Sequence, residues 1–314
     1  MSQPAKRKRV PVHGVLLLDK PEGISSTQAL AKVKWLLNAE KAGHTGTLDP
    51  FATGLLPLCF GEATKFASDL LDADKTYEAT IRLGITTTTG DPEGEVLETR
   101  EVSVERAQIE SVLDKFRGSI DQVPPMYSAL KRDGKPLYAY AREGKTLERE
   151  ARSVIIHELE LVAFTTPDIQ IRVRCSKGTY IRVLGEDVGQ ALGTGAHLVS
   201  LRRTGIASIG MTEAIAIDAL ALLSEAERKN HLLPVDSLLS ELKAVVLPAP
   251  LANRFIQGQR IALGKEGFDY PLSHTERVKV LDSGRTLLGV AFVSPEGLLQ
   301  PERLISTHSI GPRE

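Results

Sequence analysis

Apolar and polar positions along the chain predict strands and helices in succession. Val12 to Asp19 is a nearly unbroken apolar run closed by a Pro21-Glu22-Gly23 turn, which reads as a buried strand. Ser25, with Gln28 three residues later, has capping-box spacing, and Leu30, Val33 and Leu37 fall on one face of the helix it would start. From Ala42 to Gly61 the pattern breaks. Gly43, Gly46, Gly54 and Gly61, with Pro50 and Pro57, predict a structured loop rather than a long regular element. Thr76 to Leu83 alternates: Tyr77, Ala79, Ile81 and Leu83 point one way, and Glu78, Thr80 and Arg82 the other. Thr86 to Gly94 reads as a polar turn. Ser103 is the expected N-cap of a helix whose stripe is Ile109, Val112, Leu113 and Phe116, with Gly118 as its stop. Val154 to Phe164 and Ile169 to Cys175 read as strands, and a turn at Ser176-Lys177-Gly178 leads into a helix from near Thr179, with Leu184, Val188 and Leu192 inward. Glu213 to Leu239 looks mainly helical. Beyond about Leu247, short strands (Val278 to Leu281, Leu287 to Val293) joined by Asp282-Ser283-Gly284 predict a small β-rich appendage. The expected architecture is α+β: a mixed, largely antiparallel sheet, then a small β domain.

Composition narrows the class. The 314 residues suit one large domain plus a smaller one. Hydrophobic residues at 42% and charged residues at 25% fit an ordinary globular protein with ample core. Two cysteines, Cys59 and Cys175, are too few for a structural zinc site or a disulfide scaffold, and read as reduced thiols of a cytoplasmic protein. No apolar run approaches the roughly 20 residues that span a bilayer. The basic start, Lys6 to Arg9, precedes an apolar run too short for a signal peptide. A net charge of −1 and a pI near 6.7 disfavour nucleic-acid binding unless positive charge is local. Two places are locally basic. One is the tail, residues 1–10. The other is Lys131 to Arg152, where Lys131, Arg132, Lys135, Arg142, Lys145, Arg149 and Arg152 lie near Tyr127, Tyr138 and Tyr140. That mixture suits phosphate contact with base stacking, and equally suits a solvated charged loop.

The densest candidate for chemistry is Gly43-His44-Thr45-Gly46-Thr47-Leu48-Asp49-Pro50-Phe51-Ala52-Thr53-Gly54. Glycines permit close backbone approach to a ligand, and Pro50 confines Asp49 to extended geometry. Asp49 is then either an aimed carboxylate or the cap of a helix beginning at Pro50. Tyr77 is either a core tyrosine or a stacking surface. His44 has no partner at metal-ligand spacing, and no P-loop, dinucleotide or zinc signature is present.

The Gly43–Gly54 loop resembles the catalytic motif of the TruB family, tRNA pseudouridine synthases acting at uridine 55 of the TΨC loop. Further stretches match in the same order: Gly14 to Pro21, Lys75-Thr76-Tyr77, Cys175 to Arg182, and Leu198 to Arg203. The resemblance spans about residues 10–240, and more loosely the tail beyond Leu247. Thr47 and Phe51 stand where small and branched aliphatic residues are more usual, and neither is expected to touch the chemistry.

The resemblance implies a pseudouridine synthase fold over residues 11–245, an RNA-binding flap at about 124–152, and a PUA-like RNA-binding domain over 246–314. It implies that Asp49, Tyr77 and Arg182 are catalytic, and that Lys20, His44, Tyr77, Tyr180 and Leu201 contact a uridine flipped out of the RNA. Arg182 would pair with Asp49 and hold its pKa down. Lys131, Arg132, Arg142 and Arg152 would contact RNA backbone. The isomerisation requires no metal or cofactor. The implied partner is the TΨC stem-loop of tRNA, with no membrane, no protein partner and a monomeric state. Alternatives are a guide-RNA-dependent pseudouridine synthase, or a non-catalytic RNA-binding or tRNA-folding module.

Overall fold

A computed structural model describes residues 8–268 and 273–306. Of the basic tail, Lys6 and Arg7 lie outside the described residues, as does the chain beyond 306. Arg9 donates to the Lys34 and Ala39 carbonyls near the end of the first helix.

The frame is one large mixed sheet. Its strands run in the order Ile215–Ala216, Gly14–Lys20, Thr53–Phe60, Ala196–Ile206, Lys75–Leu83, Asp168–Cys175, Arg152–Thr165, Gly118–Gln122, with Ala42–His44 and Leu232–Leu233 attached at its side. Pairing is antiparallel except where Gly14–Lys20 meets Ile215–Ala216 and where Ala196–Ile206 meets Thr53–Phe60. The Gly14–Lys20 strand is apolar from Gly14 to Leu18 because both of its faces are buried there. Leu16 and Leu18 join the main core, while Val15 and Leu17 join a second cluster on the opposite face.

Ser25 caps the Ser26–Leu36 helix with the full capping box to Gln28. The Ile181–Ala191 helix packs Leu184 and Val188 into the main core. The Arg106–Asp114 helix begins later than expected. Glu105, not Ser103, is its N-cap, again with a reciprocal bond to a glutamine, Gln108.

Ala42–Gly61 is not mainly loop: Thr53–Phe60 is an eight-residue strand at the centre of the sheet. Its glycine and proline are accommodated by position. Pro57 falls between the residues that pair with Ala196–Ile206 (Thr53, Gly54) and those that pair with Ala42–His44 (Leu58 to Phe60). Its carbonyl accepts from Thr45 N–H on that same side, so the missing N–H breaks no ladder bond. Ala196–Ile206 is a second strand that the hydrophobic pattern did not reveal, because Ser200, Arg202, Arg203 and Thr204 interrupt it. Glu213–Leu239 is a chain of short pieces: two short helices, two two-residue strands and a 3-10 turn.

The β-rich C-terminal unit is a five-stranded sheet of Ala244–Leu247, Glu276–Asp282, Leu287–Val293, Leu298–Leu304 and Ile261–Ala262, packed on the Ala249–Ile256 helix. It is not a loose appendage. Leu281, Leu287, Val290 and Ile305 share the second cluster with Val15, Leu17 and Leu55 of the large sheet. Arg277 pairs with both Asp69 and Glu302, and Glu62 accepts from Lys65 and from the Ser306 backbone.

Candidate active site

The loop carrying Asp49 is pinned on both sides of that residue. Ser26 accepts from Leu48 N–H at 2.8 Å and donates to the Leu48 carbonyl at 3.0 Å. The Pro50 carbonyl accepts from Gly23 N–H at 2.9 Å and from Lys20 Nζ at 3.2 Å. Lys20 is wholly buried and also donates to the Pro21 and Ile24 carbonyls. Burial lowers its pKa to about 8, opposed by the nearby Asp49 carboxylate. Lys20 therefore holds the loop and adds positive charge beneath Asp49. No helix starts at Pro50: a turn closed by Ala52 N–H on the Asp49 carbonyl leads into the strand, so Asp49 is not a helix cap.

The Asp49 carboxylate faces Arg182 Nε at 3.0 Å. Arg182 lies in the first turn of the Ile181–Ala191 helix, where a cation is disfavoured by the helix dipole. Two carboxylates offset this, Asp49 and the buried Asp91, the latter at 3.5 Å. The guanidinium also donates to the Thr89 carbonyl at 2.7 Å and the Tyr127 carbonyl at 2.6 Å. Only 4% of the Arg182 side chain is exposed, against 35% for Asp49, which opens into a pocket.

Burial raises the Asp49 pKa; Arg182 opposes this, and Asp91 adds to the rise. The expectation that Arg182 holds the carboxyl below its usual range is thus corrected: desolvation outweighs the arginine. Asp91 was missed in the sequence because it sits in the Thr86–Gly94 segment, whose turn residues carry no periodicity. It is fixed there by Thr89 Oγ1 and Glu93 N–H, which both donate to its Oδ1.

Asp49, Tyr77, Tyr180, Arg182 and Leu201 line one cavity of about 390 Å³, together with Thr47 and the flap residues Ser128 to Leu130. Thr47, not expected to touch the chemistry, is among the residues lining this cavity, whereas Phe51 is core. Tyr77 lies on the core-facing side of its strand, and Tyr180 is held at the helix start by its N–H bonding to Gln122 Oε1 at 3.0 Å. Burial raises the pKa of both phenols. His44 does not line this cavity. It is half-buried beside the loop, its Nδ1 has no partner among the described residues, and burial then Arg203 push it toward the neutral form.

Lys131, Arg132, Arg142 and Arg152 are all exposed on or beside the flap. Arg132 donates to the Glu148 carbonyl, and Arg142 lies over the Tyr138 ring at 5.4 Å. Lys135 and Lys145 both pair with Glu143. No group of three or more metal-ligating side chains occurs among the described residues, and no described helix is long and apolar enough to cross a membrane.

A family model described as TruB family pseudouridylate synthase, N-terminal domain, matches residues 34–181. Models of the C-terminal domains of the same family match 182–240 and 244–305. The chain belongs to the TruB family. Among its relatives is the tRNA pseudouridine synthase B of Burkholderia mallei (strain NCTC 10247), 58% identical over 94% of this chain and 97% of that protein. The Ralstonia nicotianae protein of the same name is 55% identical over 97% and 98%. Among solved structures, a Cbf5-Nop10-Gar1 complex matches with a TM-score of 0.73 at 25% identity, over 96% of this chain and 88% of that one. An H/ACA RNP bound to a substrate RNA containing 2′-deoxyuridine matches at 0.74 and 24% identity, over 96% and 87%. The fold is thus that of the pseudouridine synthases, α+β with a β-rich, PUA-like C-terminal domain.

Proposed function

We propose that this protein isomerises uridine 55 in the TΨC loop of tRNA to pseudouridine, with Asp49 as the reacting carboxylate. The observation that carries the reading is the Asp49–Arg182 pair at the wall of a cavity lined by Tyr77, Tyr180 and Leu201. The reaction breaks the N1–C1′ bond, turns the uracil and joins C5 to C1′. The C5 hydrogen leaves as a proton and N1 gains one, so nothing is oxidised and no group enters. Asp49 as carboxylate serves each route available: attack on C1′, addition to the ring, or assistance to a glycal. Arg182 orients it and favours its ionised form against the desolvation of the pocket. Tyr77 supplies a stacking surface for the extruded base, worth about 1–3 kcal/mol, and a hydroxyl that serves as proton carrier.

His44, kept neutral, suits the space vacated in the RNA by the flipped nucleotide, whose extrusion costs a few kcal/mol. Lys131, Arg132, Arg142 and Arg152 with Tyr138 and Tyr140 suit single-stranded RNA, which is recognised by shape, stacking and backbone charge. In this reading residues 11–245 form the catalytic domain, 124–152 close over the RNA, and 246–314 add RNA contact. The protein acts in the cytoplasm as a monomer, on bare tRNA without guide RNA or protein partner.

Incubation of purified protein with an unmodified tRNA transcript and no cofactor tests the reading. Pseudouridine should form at position 55, and Asp49→Asn should abolish it. No product, or wild-type rate from Asp49→Asn, refutes it; activity only with added guide RNA and proteins would favour the guided alternative.

A further inference from the structure

Arg203 is among the largest fully buried side chains, with 1% exposed. Removing a guanidinium from water costs several kcal/mol unless partners replace the solvent. Its neighbour Arg202 pairs with Asp19 through two bonds. Arg203, by contrast, makes no ion pair with a carboxylate among the described residues. Its Nε donates to the Leu55 carbonyl at 2.7 Å and its Nη2 to the Gly46 carbonyl at 3.2 Å. A buried, unneutralised cation is a costly way to satisfy two carbonyls, so the position asks for a further reason.

Its place in the sheet supplies one. Arg203 stands directly opposite Tyr77 across the antiparallel pair, so the two side chains share a face. On its other flank it stands opposite Gly54 in the parallel pair. A Cβ at Gly54 would lie 2.2 Å from the Arg203 carbonyl oxygen, so only glycine lets these strands close. Gly46 packs on the guanidinium itself: a Cβ there would lie 3.5 Å from Nη1. Arg203 therefore touches the loop before Asp49, the strand after Asp49 and the strand of Tyr77.

We propose that Arg203 is a positioning residue for the isomerisation, holding the Tyr77 ring and hydroxyl in fixed relation to the loop arm from Gly46 to Asp49. The inference rests on the function proposed above and deepens it. The charge adds a second effect. Burial makes the Tyr77 phenol harder to ionise, and Arg203 is the foremost influence pulling it back. After burial itself, the same charge is the next influence favouring the uncharged forms of His44 and Lys75.

The test replaces Arg203 with Lys and with Met in the full-length protein and reads Tyr77 by two routes. The first is fluorine NMR of protein containing fluorotyrosine, with the Tyr77 resonance assigned by its loss in Tyr77→Phe. Arg203→Met should move that resonance while the signals of the other tyrosines hold, and Arg203→Lys should move it less. The second is single-turnover kinetics on tRNA. Arg203→Met should lower the rate at saturation about 10- to 100-fold, as expected for a lost charge-assisted hydrogen bond, with little change in half-saturating tRNA, and Lys should recover part. An unmoved Tyr77 resonance, or a loss confined to tRNA affinity, overturns the proposal. Should the Met variant not fold, Arg203→Lys carries the same test: an unchanged Tyr77 resonance and wild-type turnover in it overturn the proposal. If the wild-type protein makes no pseudouridine, the functional reading fails while the resonance still decides whether Arg203 sets Tyr77.

Discussion

Replacing Arg182 by lysine keeps the charge and removes the fork. In the structure four groups meet one guanidinium: Asp49 on Nε, the Thr89 carbonyl and Asp91 on Nη1, and the Tyr127 carbonyl on Nη2. A shorter ammonium with three tetrahedral donors cannot span them. In the proposed reaction the bond to Asp49 is the one that bears on the chemistry, and a hydrogen bond to a charged group is worth about 1.5–3 kcal/mol. Arg182→Lys should therefore slow turnover about 10- to 100-fold. Arg182→Met goes further, leaving Asp49 and Asp91 without the cation that both of them pair with, at about 3–5 kcal/mol. The sign of the pH effect separates the two. Asp49 must be ionised to react, and its pKa already stands above the ordinary value. Losing the arginine's charge raises it again, so the acid limb of the rate profile should move to higher pH in the Met variant and stay nearly in place in the Lys variant. The assay is single-turnover release of tritium from C5 of uridine in tRNA, across pH. Wild-type rates from Arg182→Lys, or an acid limb that does not move in Arg182→Met, would refute the assigned role.

Asp91→Asn removes a negative charge that raises the Asp49 pKa, so its acid limb should move to lower pH, opposite to Arg182→Met, while the plateau rate falls as Arg182 loses an anchor; the same tritium assay reads both. Tyr77→Phe keeps the stacking ring and loses the hydroxyl, so filter binding of tRNA should change little while turnover falls strongly; parallel losses would make Tyr77 a structural residue. Gly54→Ala places a methyl 2.2 Å from a backbone oxygen at a φ of 97° and should cost at least about 1–3 kcal/mol, seen as a lower urea midpoint. Deleting residues 244–314 removes Leu281, Leu287, Val290 and Ile305 from the apolar cluster they share with the large sheet, so thermal melting should drop by several degrees or more; an unchanged melting temperature would show that the two units are energetically independent.

What the sequence disclosed followed local rules. The capping box at Ser25, the alternation around Tyr77 and the apolar run to Asp19 each appear in the fold as read, because burial on one or both faces writes directly into the pattern. The Thr53–Phe60 strand was obscured because Gly54 and Pro57 serve contacts with strands far away in sequence, namely close approach to Arg203 and a gap in the ladder. Ala196–Ile206 was obscured because Ser200, Arg202, Arg203 and Thr204 interrupt the apolar pattern. Asp49, Tyr77 and Arg182 were legible through long motifs. Asp91 was not, since an aspartate in a turn looks ordinary until a fold buries it, and Arg203, though it ends the matched Leu198–Arg203 stretch, drew no role because its burial does not show in the sequence. The direction of the Asp49 pKa was likewise out of reach, because it depends on how much water the pocket excludes.

The most direct measurement of the central claim is a structure of the protein with a TΨC stem-loop carrying 5-fluorouridine at position 55. The account predicts that nucleotide out of the stack, between Tyr77, Tyr180 and Leu201, with an Asp49 oxygen at bonding or contact distance from C1′ or the ring. A base still stacked in the loop, or a bound base whose sugar and ring both face away from Asp49, would contradict it.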